Sequence, residues 1–215
     1  MRRTRRPSAC LPRHRTLAGR RQGRIFVLSG PSGGGKTTVV RALLTRASGL
    51  VRSVSVTTRP RRPSERAGAD YRFVSAKAFS RLRARGALLE WAKVHHAWYG
   101  TPRRPVDRGL ARGRDVILNI DVQGARQVKR RFGTQAVLVF LLPPSLAALG
   151  ERLRKRKTDT PQARRMRLRA AKRELACATW YDYAVVNRRV QDAGEQVHAI
   201  VTAERLRRND ATSPD

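Results

Sequence analysis

Residues 24–38 read RIFVLSGPSGGGKTT, and this stretch limits what the chain can become more than any other. The apolar run from Ile25 to Leu28 has the composition of a buried strand and stops at a turn-rich segment. There Gly30, four intervening residues, Gly35, Lys36 and Thr37 fit the pattern of a phosphate-binding loop. Glycines let the backbone curl so that successive N–H groups point inward at phosphate oxygens, a path that a Cβ would block. The following TTVVRALLTRA has apolar residues at helical spacing, so the positive end of a helix falls at the same spot. The pattern predicts that Gly30, Ser32, Gly33, Gly34, Gly35, Lys36, Thr37 and Thr38 hold the phosphates of a nucleoside triphosphate. Lys36 would reach the β- and γ-phosphates, and the Thr37 hydroxyl would sit on Mg²⁺. Strand before, helix after and both polar residues in register set this apart from a chance glycine-rich turn.

At 215 residues the chain suits one well-filled α/β core with small inserted subdomains. Its formal charge of +33 comes from 48 basic residues, all but seven of them arginine, against 15 acids. The bias runs through the whole chain and looks more like genome composition than a dedicated patch. Such a field attracts anions broadly but implies no specific nucleic acid. Acids are scarce, so an acid at a chemically useful position is informative. Cys10 and Cys177 have neither ligand nor disulfide spacing, which suits a reducing, cytoplasmic compartment. No apolar run approaches the ~20 residues needed to span a bilayer, so no membrane partner is expected.

Residues 1–23 carry eight arginines, no acids and no periodicity, and are expected to be a disordered basic extension, with 209–215 a disordered tail. An anion-binding tail, or a start codon assigned too far upstream, is the reading preferred over a transit peptide, which the leader resembles in composition. Beyond the first helix the expected elements are a strand at 50–56, a polar loop, a strand at 71–74, a helix at 76–85 and a strand at 88–94. Short strands and loops up to residue 110 mark an inserted subdomain of about 55–110, between core segments 24–54 and 111–208. The core resumes with a strand over 115–121 ending in a carboxylate, a helix from Gln123 to about Arg131, and the apolar AVLVFLLP. Continuous apolar runs are what a parallel sheet buried on both faces requires. A basic helical segment at 150–173, a strand at 183–187 and a terminal helix at 191–208 complete a doubly wound α/β fold.

Behind GPSGGGKT, the segments SVSVTTRPRRPSERAGADYRFVS (53–75), LLEWAKVHHAWYGTP (88–102) and ILNIDVQGA (117–125) resemble the guanylate kinases over about residues 24–207. The resemblance implies a P-loop-type parallel sheet, an inserted GMP-binding subdomain, and a helical lid at about 145–175. It implies transfer of the γ-phosphoryl group of Mg·ATP to GMP, giving ADP and GDP, as part of purine nucleotide metabolism, by a monomer or weak homo-oligomer. Arg59 and Arg62 would grip the GMP phosphate, a task suited to guanidinium forks, with hydroxyls from Tyr71 and Tyr99. Glu90 would accept from guanine N1–H and N2–H₂, donors that adenine does not present together, with Ser55 and Thr101 also touching the base. Arg152, Arg156 and Arg167 match lid arginines that neutralise the moving phosphoryl group, and Asn187 matches a residue that contacts adenine. Asp121 can orient Mg²⁺ through water, hold the acceptor nucleotide, or pair structurally with Arg59 or Arg62. Glu65 and Asp70 match motif acids able to brace the loop by pairing with a neighbouring arginine.

The chain also departs from the pattern. Asn119 stands where the family is usually acidic, Arg188 and Arg189 replace aspartates, His96 and Ala97 replace a Gly-Asn pair before the turn Trp98–Thr101, and Ser64 and Lys157 replace glycines. Adjacent His95 and His96 on a strand would face opposite ways and so make a poor metal pair. Two rival readings remain: a related kinase for another monophosphate such as a ribose bisphosphate, and a binding module for phosphorylated protein segments. The base readers argue against the first, and the intact Lys36 and Thr37 against the second.

Overall fold

The computed structural model describes residues 22–63, 65–94, 96–155 and 160–207. Expectations for the basic leader up to residue 21, the tail from 208, Ser64, His95, Arg156 and Lys157 fall outside the described residues.

Strand β1 (Ile25–Ser29) runs into the glycine loop, and helix α1 (Lys36–Leu44) follows it. Strand β2 (Leu50–Arg52) then pairs in parallel with β7 (Asp115–Asn119). With β8 (Ala136–Leu142) and β9 (Tyr183–Val186) they form a five-stranded sheet in the order β2-β7-β1-β8-β9, every pairing parallel. Side chains alternate across it, as a strand period of two demands. Phe26, Leu28, Ile117, Val139 and Leu141 face α1 and the final helix α7 (Val190–Leu206), meeting Val40, Leu43, Val197 and Val201. Ile25, Val27, Leu118, Leu138 and Phe140 point the other way, onto helices α3 (Arg103–Ala111) and α4 (Val122–Phe132). Helices therefore cover both faces, which is why these strands are apolar throughout.

The single strand expected over 50–56 is two strands. The chain leaves the core sheet after Arg52, and β3 (Val56–Thr57) joins a second sheet in the order β4-β3-β6-β5. Here β4 (Arg72–Phe73) lies parallel to β3, while β5 (Leu88–Val94) and β6 (Ala97–Pro102) form an antiparallel hairpin. Helix α2 (Ala76–Ala84), capped by Ser75 Oγ accepting from Ala78 N–H, packs Phe79 onto Val56 and Leu88 beneath that sheet. Trp98–Thr101, expected as a turn, is strand β6, because each residue pairs with β5; the reversal falls at His96. Helix α3 lies within the 55–110 span, yet Val106 and Leu110 are buried against the core sheet. The basic segment forms two helices, α5 (Leu146–Lys155) and α6 (Pro161–Leu175), packed through Leu149, Leu153 and Ala171. Among the described residues no helix is long and apolar enough to cross a membrane.

Candidate active site

One cleft, lined by residues of both sheets, joins the glycine loop to the arginine-rich loop; it encloses about 1030 Å³ counted with its open mouth. At one end lie Gly30, Ser32, Gly33, Gly35, Lys36, Thr37 and Thr38; at the other, Ser55, Arg59, Arg62, Tyr71, Glu90 and Tyr99. Asn119, Asp121 and Glu174 lie in the same lining.

The loop's geometry follows from its glycines. Gly35 caps α1 with φ of 94°, a conformation that strains any side chain, and a Cβ there would run into Asn187 Nδ2. Lys36 Nζ donates to the carbonyls of Gly30 (2.6 Å) and Pro31 (3.1 Å), so the ammonium is folded over the loop it serves. Gly34 does not line the cleft: its N–H closes a turn on Pro31 and its carbonyl accepts from Asn187 Nδ2 at 2.7 Å. Asn187 is buried beneath the loop and also holds Arg152, whose Nη2 donates to the Asn187 carbonyl at 2.9 Å. In this arrangement the Asn187 side chain braces the loop, whereas the resemblance implies that it touches adenine. Arg167 of α6 reaches Ser32 Oγ at 3.5 Å, so two of the three expected lid arginines stand at the loop.

At the far end, Arg59 is heavily braced. Glu65 takes Nη1 and Nη2 at 2.9 and 2.8 Å, Pro60 O accepts from Nη1, and Tyr99 OH accepts from Nε at 3.1 Å. Because the Tyr99 oxygen accepts from Arg59, its own hydrogen is left to donate elsewhere. The Arg62 guanidinium stands 3.8 Å from Glu65, too far for a hydrogen bond, so that carboxylate does not engage its fork. Burial acts to raise the Glu65 carboxyl, but hydrogen bonds from Arg59 and from Arg62 N–H outweigh it and hold it below the usual carboxylate range.

Glu90 owes its position to a bulge. The β5–β6 register slips between Leu88 and Glu90, so that Leu89 enters the core and Glu90 faces the cleft across from Thr101. Gly124 makes room, since a Cβ there would meet Glu90 Oε2. Only 3% of Glu90 is exposed, and Thr101 Oγ1 donates to its Oε1 at 2.6 Å. Thr101 itself is fully buried and outside the lining, so its hydroxyl orients the carboxylate. Burial pushes the Glu90 carboxyl up to about 7, against the Thr101 hydrogen bond and with help from the nearby Asp121 charge.

Asp121 lies beyond the end of β7 rather than on it, because its carboxylate caps α4, accepting from Gly124 N–H at 2.9 Å. The alternative of a pairing with Arg59 or Arg62 is not realised: its other partner is Gln123. Burial raises its pKa, opposed by Gly124 N–H and by Lys36. Asn119 Nδ2 donates to Thr37 Oγ1 at 3.1 Å, setting a neutral amide beside the hydroxyl expected to meet Mg²⁺. A Thr hydroxyl and an Asp carboxylate on one cleft wall are the hard oxygen donors that this ion takes, so these residues fit it.

Sequence reasoning missed Glu174. It is the next-to-last residue of α6, nine residues before β9 begins, and its carboxylate shares the cleft with Lys36 and Asp121. Burial raises its pKa, with Lys36 opposing and Asp121 reinforcing. No motif marks it; its scarcity value as an acid in a strongly basic segment was the available signal.

The comparisons agree with this geometry. The sequence profile described as guanylate kinase matches residues 22–204. The guanylate kinase of Rhizobium etli is 47% identical over 189 residues, covering 88% of this chain and 86% of its own length. That of Nitrobacter winogradskyi is 48% identical over 192 residues, covering 89% and 88%. The crystal structure of guanylate kinase from Anaplasma phagocytophilum, 34% identical, covers 86% of this chain and 88% of its own, with a TM-score of 0.72. Matches of that extent show that the chain belongs to the guanylate kinase family.

Proposed function

We propose that the chain transfers the γ-phosphoryl group of ATP to the phosphate of GMP, giving ADP and GDP, and so serves purine nucleotide metabolism in the cytoplasm. The observation that carries this reading is the continuous cleft, with a phosphate loop at one end and an Arg–Tyr–Glu set at the other.

In this reading the loop from Gly30 to Thr38 holds the triphosphate, and the second sheet is the GMP-binding part. Arg62 supplies the open fork for the GMP phosphate, Arg59 adds a braced cation, and Tyr99 donates its remaining hydrogen. Tyr71 and Ser55 complete that end, and Glu90 reads the guanine edge. A GMP phosphate oxygen attacks the γ-phosphorus as the bond to the ADP oxygen breaks. The nucleophile is already anionic, so no general base is needed, and transfer depends on positioning and positive charge. Lys36, Arg152 and Arg167 provide that charge on the donor side. Mg²⁺, when bound at Thr37 and through Asp121, supplies further positive charge on the triphosphate. Closure of the α5–α6 lid would exclude water, protecting ATP from hydrolysis. We assign a monomer or weak homo-oligomer.

A coupled assay of ADP formation tests the reading. GMP should support turnover, while AMP, CMP and UMP should not. Equal rates with AMP and GMP would refute the assigned role of Glu90, and no turnover with GMP would refute the function.

A further inference from the structure

Among the described residues Asp70 is one of the few deeply buried acids, and it lies outside the cleft lining. Its carboxylate gathers partners from three parts of the fold. One oxygen accepts from Arg66 N–H at 2.9 Å, in the loop that carries Arg59, Arg62 and Glu65. The other meets Arg41 Nη2 of α1, the helix that begins at Lys36, and stands 3.8 Å from Arg52 Nη1. Arg52 Nη2 also donates to the Asp70 carbonyl at 2.9 Å. Arg52 is the last residue of β2, where the chain leaves the core sheet for the second sheet. Burial works to raise the Asp70 carboxyl, but the Arg66 N–H, Arg41 and Arg52 together hold it below the usual carboxylate range.

From this arrangement we infer that Asp70 is a positioning residue: it ties the acceptor-phosphate loop to the phosphate-loop helix and sets the distance between the two bound substrates. A tie of this kind has a specific signature. Each binding end is complete without it, since Arg59 takes its bracing from Glu65, Pro60 and Tyr99, and the phosphate loop takes its own from Asn187 and Gly35. Only a process that spans both ends depends on their separation. Phosphoryl transfer is one such process, because small displacements of the reacting atoms are costly. Binding of a single molecule that fills both ends is another.

The inference rests on the two-substrate reading, and the test separates the two. Adenosine and guanosine joined through a pentaphosphate serve as the spanning ligand, with GMP and a non-hydrolysable ATP analogue as single-site ligands; all are titrated calorimetrically. Asp70→Asn should weaken the spanning ligand about tenfold, the scale of a coupled charge contact, while each single ligand changes less than about twofold. Arg41→Gln removes the same tie from a half-exposed side chain and should reproduce the pattern if Asp70→Asn does not fold. Combining the two substitutions should add little beyond either alone. If GMP alone weakens as much as the spanning ligand, Asp70 supports only its own loop and the inference is overturned. An unchanged spanning affinity in both variants overturns it as well. Failure of the unaltered protein to bind the spanning ligand more tightly than either single ligand would overturn the two-substrate reading and this inference together.

Discussion

Glu90→Gln should make the protein more stable and, at the same time, a worse ligand for GMP. The carboxylate is nearly fully buried, its recorded side-chain partner is the Thr101 hydroxyl, and its pKa is raised from 4.5 to about 7. The folded protein therefore holds this proton more tightly than the unfolded chain does. Stability contributed by this group is full below about pH 4.5, falls as pH rises, and has been lost once pH passes about 7. At pH 8 the ionised side chain costs about 3 kcal/mol, since each pKa unit is worth about 1.4 kcal/mol. An amide of the same shape keeps the acceptor for Thr101 and removes the charge. For a protein of this size that gain corresponds to a rise of roughly 10 °C in Tm at pH 8, shrinking to little near pH 4.5. GMP binding should move the opposite way. A carboxylate accepts from both guanine donors, whereas an amide accepts one and sets its own N–H₂ against the other; losing a charge-assisted hydrogen bond costs about 1.5–3 kcal/mol, or roughly ten- to a hundred-and-fifty-fold in affinity. Thermal unfolding across pH and calorimetric titration with GMP and an ATP analogue measure both effects. Wild-type affinity for GMP should also fall below pH 7 more steeply than that of the variant, because the nucleotide phosphate titrates in both and only the carboxylate differs. A variant that melts lower at pH 8, or that binds GMP within about threefold of wild type, would refute the argument.

Two other substitutions probe the donor end. Glu174→Gln removes a negative charge from the wall facing Lys36, so ATP and ADP should bind a few-fold more tightly, about threefold, in fluorescence titrations; weaker binding would show that the carboxylate supports the site. Asn119→Asp replaces the amide that donates to Thr37 Oγ1 with an anion, and the half-saturating Mg²⁺ concentration for turnover should fall about threefold or more, with GMP affinity unchanged. No change in the metal dependence would mean that residue 119 lies outside the reach of the ion.

Much of the framework was legible because local chemistry dictates it. The glycine loop specifies its own curl, and the apolar runs at 25–28 and 136–142 and within 115–121 read as strands buried on both faces, the middle one ending at Asn119 rather than at Asp121. Lys36 and Thr37 were legible from the spacing of the phosphate-binding loop, whereas Arg59, Glu90 and Tyr99 were picked out through the resemblance to the guanylate kinases; all five line the cleft. The split of 50–56 into two strands was not legible, since nothing within Leu50–Val56 says that two different sheets will receive its halves. Strand β6 was hidden because Trp98–Thr101 acquires its extended form from pairing with β5.

By itself, then, the order of residues determined which side chains could cradle phosphates and that a parallel sheet would carry them, while the purine readers were implied by the resemblance to the guanylate kinases. Tertiary structure alone decided their relations: that a bulge aims Glu90 beside Gly124, that Glu174 faces Lys36, that Arg41 meets Asp70, and that Asn187 lies beneath the loop. The reason is physical. Propensity and periodicity act over a few residues, whereas burial, charge pairing and register depend on which distant segments the packed core brings within a few ångströms of one another.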